Sequence, residues 1–434
     1  MAKAERVETR AEVEVRLWGH RVGALVELES GVALFEYAED FRRTGLEISP
    51  VHLPLRLRGP LRFDHLKSDT FERLPGVFAD SLPDAFGRKV IRAYWAAEGR
   101  EEELTALQKL LYVGTRAIGA LTYHPARELP DRLREVQALE LRALAHDASQ
   151  IVQGRAEVAV PEIYRLGSSA GGVRPKAVVR FDPSSREIWS GFDDIGEGRI
   201  PAILKFDGVG EDATEDRLGA PQHYNRVEAT YARMAEGAGI DVTTLEILED
   251  DGHAHLLVFR FDLGPEGERL HQHTLGGLIH VDYNDPGASS YEEYLRRILG
   301  LGMPYASLAE GYRRALFNVL GVNQDDHVKN LSFHMFPDGR WTLTPAYDLT
   351  FARGAGFTSR HQMSLRGKRE AITERDLTLL GEELGISRPE RIIAHVRDAV
   401  SGFRAYAKDA GVPADVAERI EEVLQERDRE VFGG

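Results

Sequence analysis

The chain has 434 residues, no cysteine, and 70 acidic against 55 basic side chains, a formal net charge of −15. Without cysteine it can form neither a disulfide nor a thiolate metal site, which fits a reducing cytoplasmic compartment. An acidic surface argues against broad binding to nucleic acid or anionic membranes, and any nucleotide would need a locally positive pocket.

A chain of this length can bury a full core and hold two or three subdomains. The first twenty residues mix charges without an apolar run, so no secretory signal is expected. No stretch reaches the roughly 18–20 apolar residues that cross a bilayer, so no membrane association is expected. Residues 1–125 read as an N-terminal β-rich subdomain. VEVRLWG, RVGALVEL, GVALFEYA and HLPLRL are short runs rich in β-branched and aromatic residues, punctuated by Gly and Pro. Helical passages follow from Leu82 to Glu98 and over Glu102–Tyr112. Residues 126–160 read as a connector, with a charged amphipathic helix over 129–154. Residues 161–262 form a second β-rich unit with strands KAVVRF, AILKF, VTTLEILED and HAHLLVFRFD, and one long helix, Asn225–Gly239. Residues 263–434 are mainly helical.

One stretch of the last unit carries chemistry. Asn323-Gln324-Asp325-Asp326-His327-Val328-Lys329-Asn330 is followed, eighteen residues after Asn330, by Asp348. This is the spacing of a phosphoryl-transfer loop: a carboxylate that steers the attacking hydroxyl, an amide five residues on for a metal ion, and a second carboxylate one hairpin later. LSFHMF and RWTLTPAYDL, split by Pro337-Asp338-Gly339, supply that hairpin. Asp325 is then the candidate base, with Asn330 and Asp348 as oxygen ligands for Mg2+, which needs few protein ligands because it keeps waters and substrate phosphates. Each residue has a blander reading. Asp325 could be a solvated loop acid, Asn330 a turn amide and Asp348 a helix cap.

Lys205 interrupts the apolar strand AILKF. Burying an ammonium is costly unless it is paired, and Glu228 in the following helix is the natural partner. The blander reading is an edge-strand lysine that snorkels to water. Gly167 to Lys176 is a small-residue loop whose amides could approach phosphates, with Arg174 and Lys176 adding positive charge. Its place before a strand argues against a Walker loop, which would open a helix. His271, His273, His280 and Asp282 read as structural rather than as a metal site. The charged run Arg360–Arg375 is either a substrate loop or a solvated face. The last two units thus make an α+β, two-lobed protein-kinase-like fold, with the first as an additional N-terminal subdomain.

These blocks resemble the HipA family, serine/threonine kinase toxins of type II toxin–antitoxin pairs. The resemblance runs over nearly the whole chain, through LWGHRVGALVEL, LPLRL, GSSAGGVRPKA, AILKFDG, NRVEATYARMAEGAGI, FRFD, NQDDHVKN, LTPAYDLT and MSLRGKREAIT. It implies ATP and Mg2+, with Asp325 as proton acceptor, Lys205 on the phosphates and Asn330 and Asp348 on the metal. It implies a phosphate loop from Ala170, Gly171, Gly172 and Val173 through Arg174 and Lys176, and nucleotide contacts from His327 and Lys329. Phe259-Arg260-Phe261 becomes the hinge beside adenine, and Ser169, with Ser168 adjacent, the autophosphorylated off-switch. The implied partners are a helix-turn-helix antitoxin of the HipB type, operator DNA reached mainly through it, and a protein substrate such as an aminoacyl-tRNA synthetase or another translation factor. Two positions depart from the family pattern: Phe259 stands where the best-known member has an acid, and Asp326 where a small residue is usual. A non-toxin kinase, a small-molecule kinase and a catalytically silent co-regulator of an antitoxin–DNA complex are the competing readings; the joint presence of Lys205, Asp325, Asn330 and Asp348 speaks against the silent one.

Overall fold

A computed structural model describes residues 9–97, 104–126, 138–139, 141–153, 174–191, 198–209, 218–264 and 267–433. The N-terminal unit is built on β1 (Thr9–Leu17), β2 (His20–Leu28), β3 (Ala33–Tyr37), β4 (Leu61–Arg62) and β5 (Leu121–His124), in the order β4-β3-β2-β1-β5 with antiparallel pairing. Strand alternation buries Val13, Val15 and Leu17 on one face of β1. Trp18 and Gly19 both take positive φ (47° and 81°), the two-residue turn whose twist matches a hairpin. HLPLRL, expected as a strand, forms none. Pro54 has no amide to give a ladder, Leu57 N–H turns back to its carbonyl, and Leu61–Arg62 supply the edge instead.

The second sheet takes β6 (Ala138–Leu139), β7 (Lys176–Phe181), β8 (Ile188–Ser190), β9 (Ile200–Lys205), β10 (Leu245–Asp250) and β11 (His253–Phe259), in the order β10-β11-β9-β7-β8-β6. The helix expected over 129–154 is seen only as Leu141–Val152. Ala138 and Leu139 pair with Trp189 and Ile188 instead, because an open strand edge overrides local helical pattern. The Tyr224–Gly237 helix packs on β10 and β11. In the large lobe β12 (His271–Thr274), β13 (Ser332–Met335) and β14 (Trp341–Leu343) form a three-stranded sheet. Gly339, at φ 82°, closes the β13–β14 turn as its sequence demands. Around it lie the helices Tyr291–Gly300, Tyr305–Leu320, Glu374–Glu383, Pro389–Ser401 and Ala414–Phe432.

Two apolar cores result. One joins the N-terminal unit, the Tyr224–Gly237 helix and the large lobe. The other lies under the six-stranded sheet and takes in Phe86 and Val90 from the Ala85–Ala97 helix. The N-terminal unit therefore packs against both lobes. Its approach to the large lobe needs glycine: a Cβ on Gly76 would sit 2.1 Å from the Gly277 carbonyl oxygen. The architecture is the expected α+β, two-lobed kinase-like plan with an added N-terminal sheet. Among the described residues no helix is long and apolar enough to cross a membrane.

Candidate active site

β9 is an interior strand, so Lys205 at its end is no edge lysine; it is buried. Its Nζ lies 2.5 Å from Glu228 Oε1, in the second turn of the Tyr224–Gly237 helix, and also donates to Asp348 Oδ1. Lys205 thereby ties a small-lobe helix to the large-lobe segment after β14. Asp348 has a left-handed backbone, φ 52°, which aspartate tolerates better than most residues. Burial alone would raise its carboxyl, but the Lys205 and Lys176 ammoniums outweigh that and hold it at about 2. Burial works against the Lys205 charge, yet Asp348 and Glu228 raise its pKa above the ordinary lysine value.

Lys176 faces Lys205 across the β7–β9 ladder. The adjacent cations are compensated by a carboxylate that sequence reasoning missed: Asp84 of the N-terminal unit, whose Oδ2 is 3.5 Å from Lys176 Nζ. Asp84 Oδ1 also accepts from Gly87 N–H at 2.6 Å. In sequence it is an ordinary acid at a helix start, and nothing local separates that role from the ion pair.

Across the cleft the Asp325–Asn330 loop folds on itself. Asn330 Nδ2 donates to the Asp325 carbonyl at 3.0 Å, and Asn330 N–H to the His327 carbonyl at 2.9 Å. This fixes the amide and leaves Oδ1 as its acceptor atom. The Asp325 side chain keeps 43% exposure, with His327 Nε2 3.9 Å from Oδ1. Partial burial raises its carboxyl; His327 and Arg174 oppose the rise, while Asp348 and Asp326 reinforce it. Burial lowers the His327 imidazole despite the nearby Asp325. Asp326 adds its charge less directly than its place in sequence suggests, for its carboxylate is buried in the large lobe and bonded there. Lys329 Nζ lies over the Tyr283 ring, 4.6 Å from its centroid, and the Arg174 guanidinium over Tyr224 at 4.2 Å. Ser168, Ser169, Ala170, Gly171, Gly172 and Val173 lie outside the described residues.

At the expected hinge, Phe259 N–H donates to the Thr244 carbonyl and Arg260 N–H to the Pro201 carbonyl, at 3.0 and 2.9 Å. The Phe259 ring packs toward Phe181, centroids 6.3 Å apart. The Arg260 side chain makes two bonds to Asp262, at 2.9 and 2.6 Å, and Asp262 also accepts from Gly119 N–H of the N-terminal unit at 2.8 Å. Any adenine contact by Arg260 is thus left to its backbone. Phe261 stacks on Tyr347, centroids 5.3 Å apart. The Tyr347 hydroxyl donates to the Lys329 carbonyl at 2.6 Å and meets Ser332 Oγ at 2.5 Å. Tyr347 therefore links the Phe259–Phe261 segment to the Asp325–Asn330 loop; in sequence it looks like any core aromatic.

The donor set suits a hard cation: one ionised carboxylate and one oriented amide oxygen, with the Lys205 and Lys176 ammoniums nearby. Among the described residues no group of three or more His, Cys, Asp or Glu could hold a metal ion. His271 Nε2 bonds the Ile48 carbonyl at 2.8 Å, and His273 lies between Asp80 and Ser49, in keeping with structural roles.

Residues 168–426 match the family described as HipA-like C-terminal domain, and residues 13–124 the HipA N-terminal domain. The chain belongs to the HipA family. A relative of this chain is the "Putative kinase Y4dM" of Sinorhizobium fredii, 27% identical over 440 residues, covering 94% of this chain and 95% of the relative. Among solved structures, HipA of Shewanella oneidensis MR-1, seen with HipB and its operator DNA, superposes with a TM-score of 0.69 over 96% of this chain and 97% of its own, at 19% identity. That likeness establishes the fold. The Helicobacter pylori proinflammatory kinase CtkA matches at a TM-score of 0.38 and 11% identity, over 61% of this chain and 90% of its own, too distant to argue from.

Proposed function

We propose that this HipA-family chain is a protein kinase that moves the γ-phosphoryl group of Mg-ATP to a serine or threonine hydroxyl of a protein. The observation that carries the reading is Lys205, bonded at once to Glu228 and Asp348, opposite the loop of Asp325 and Asn330. In the transfer the acceptor oxygen forms a bond to the γ-phosphorus while the bond to the β–γ bridging oxygen breaks in line; ADP leaves, and the hydroxyl proton passes to Asp325 and then to water. Glu228 keeps the Lys205 ammonium aimed at the phosphates, and Lys176 adds a second positive charge beside it. Nucleotide phosphates compete with Asp348 for Lys205. Magnesium, held by Asp348 and the Asn330 amide oxygen, would neutralise charge on the phosphates. Asp325, raised by its surroundings, is a better proton acceptor than an ordinary aspartate.

Ser169 is the proposed autophosphorylation site, and its modification the off-switch. The Shewanella relative's assembly supports a helix-turn-helix antitoxin of the HipB type as partner, with operator DNA reached through it. We assign a growth-inhibiting toxin role, with a translation component such as an aminoacyl-tRNA synthetase as substrate. The test is intact mass before and after incubation with Mg-ATP. The wild type gains one phosphate. Asp325→Ala loses transfer by about 10²–10⁴-fold, while its stability changes by no more than about 0.5 kcal/mol because the side chain is part-exposed. Undiminished transfer by that variant refutes the assigned base.

A further inference from the structure

Asp326, next to the candidate base, is 2% exposed and takes three hydrogen bonds. The Tyr291 hydroxyl donates to Oδ2 at 2.7 Å, His361 Nδ1 to the same oxygen at 2.9 Å, and Gln362 N–H to Oδ1 at 2.6 Å. Tyr291 in turn accepts from Asn318 Nδ2 at 3.0 Å, and Asn318 Oδ1 accepts from Asn323 Nδ2 at 3.0 Å. The shell thus closes on the start of the same loop.

Further bonds run in parallel. Gln362 Nε2 donates to the Gln324 carbonyl at 3.2 Å and the Arg360 carbonyl at 2.9 Å. Gln324 N–H donates to the Ala352 carbonyl at 2.9 Å, and Ala352 N–H to the Val322 carbonyl at 3.1 Å. The loop that carries Asp325 is therefore laced to residues 352–362, the segment that follows Asp348. That segment bears the exposed turn Gly356–Ser359, where Phe357 keeps 37% exposure.

We propose that Asp326 is a positioning residue that holds the Asp325 loop in register with segment 352–362, so that the base meets the acceptor hydroxyl. The inference rests on the kinase reading above. The Asp325 carboxylate is itself 43% exposed, so its place is set by the buried residues on either side of it, and a misplacement of about 1 Å costs on the order of 10²-fold in rate. A buried carboxylate with three donors from two other segments supplies that location. None of those donors is a candidate phosphate or metal ligand, and Asn330 keeps its own bonds to the Asp325 and His327 carbonyls, so loss of the pin acts on turnover far more than on nucleotide affinity.

The experiment uses the full chain, phosphatase-treated, with two readouts: single-turnover phosphate incorporation from Mg-ATP, and Mg-ADP affinity by calorimetry. Asp326→Ala lowers the rate by about 30-fold or more, Asp326→Asn falls between it and the wild type because it keeps an acceptor for Gln362 N–H, and Tyr291→Phe loses about fivefold. The Mg-ADP affinity stays within about threefold throughout. Should Asp326→Ala fail to fold, Tyr291→Phe, which removes one hydroxyl, carries the test. Rates within twofold of wild type in the folded variants overturn the proposal, and so does a loss of Mg-ADP affinity in step with the rate. A wild type that binds Mg-ADP but incorporates no phosphate overturns the kinase reading itself, and this proposal with it.

Discussion

The cleft between the lobes and the seam beneath the N-terminal sheet are built from similar residues and behave differently. At the seam Asp80 Oδ2 lies 2.7 Å from His273 Nδ1, and His273 Nε2 lies 3.0 Å from Ser49 Oγ. Carboxylate, imidazole and hydroxyl stand in the order of a serine-hydrolase triad. Yet Ser49 and His273 are both 0% exposed, so no substrate reaches the hydroxyl. Asp80 is saturated as well, accepting from Thr274 N–H and Oγ1 at 2.9 and 2.8 Å. In the cleft Asp325 is 43% exposed, and His327 at 3.9 Å is its one ion-pair partner within 4 Å among the described residues. Access and unspent hydrogen-bonding capacity, rather than residue identity, separate a site from a latch.

The contrast is broken most directly by Asp80→Ala. It strips the acceptor from His273 Nδ1 and from both Thr274 donors in a buried seam. Each buried donor left without its acceptor costs about 1–3 kcal/mol. Urea unfolding should show that loss while phosphoryl transfer, assayed well below the midpoint, persists. A loss under about 1 kcal/mol would mean that the seam is no latch.

Acidification sharpens the same contrast. Burial, and then the neighbouring His273, lowers His271 to about 3; burial, and then the stacked His52, lowers His280 to about 3. Both stay neutral in the fold, whereas unfolded imidazoles take protons near pH 6.5. Between those values the unfolded chain binds more protons, so stability rises with pH and is lost as pH falls from about 6.5 toward 3. Each histidine contributes a slope of up to about 1.4 kcal/mol per pH unit. Burial would raise Asp262, but Arg260 overcomes it and holds the carboxyl at about 2, so its own contribution is lost only below about pH 4. Urea midpoints at pH 7.5, 6.5 and 5.5 should therefore descend; a flat or rising series contradicts the seam's neutral histidines.

What could be read from the sequence was whatever leaves a local mark. The spacing of Asp325, Asn330 and Asp348, the Pro337-Asp338-Gly339 hairpin and the lone cation in AILKF are such marks, and the family blocks around them led to the right family. Asp84 and Tyr347 left none, and Asp326 showed only as a departure from the family pattern. Each has an innocuous local reading, as helix cap, loop acid or core aromatic, and each meets partners far along the chain: Lys176 is 92 residues from Asp84, and His361 is 35 from Asp326. The misread strand at HLPLRL and the overlong connector helix have a related cause. A proline without an amide and an open sheet edge are decided by neighbours that periodicity does not see.

Tyr347 gives the smallest effect and the finest test of where seam-like packing ends and cleft chemistry begins. It is only half-buried, unlike the latch residues, and its hydroxyl holds the Lys329 carbonyl and meets Ser332 beside the Asp325–Asn330 loop, while its ring lies on Phe261. Tyr347→Phe keeps the ring stack and removes only the hydroxyl bonds. The Lys329 carbonyl then loses a donor at partial burial, for a stability cost of about 1 kcal/mol. If the hydroxyl also keeps Lys329 and Asn330 in place, Mg-ATP affinity drops severalfold, which calorimetry resolves from the stability change. If affinity is untouched while the urea midpoint falls, Tyr347 belongs with the latch, and the ring packing of Phe261 on Tyr347 and His334 suffices to hold the expected hinge against the Asp325–Asn330 loop.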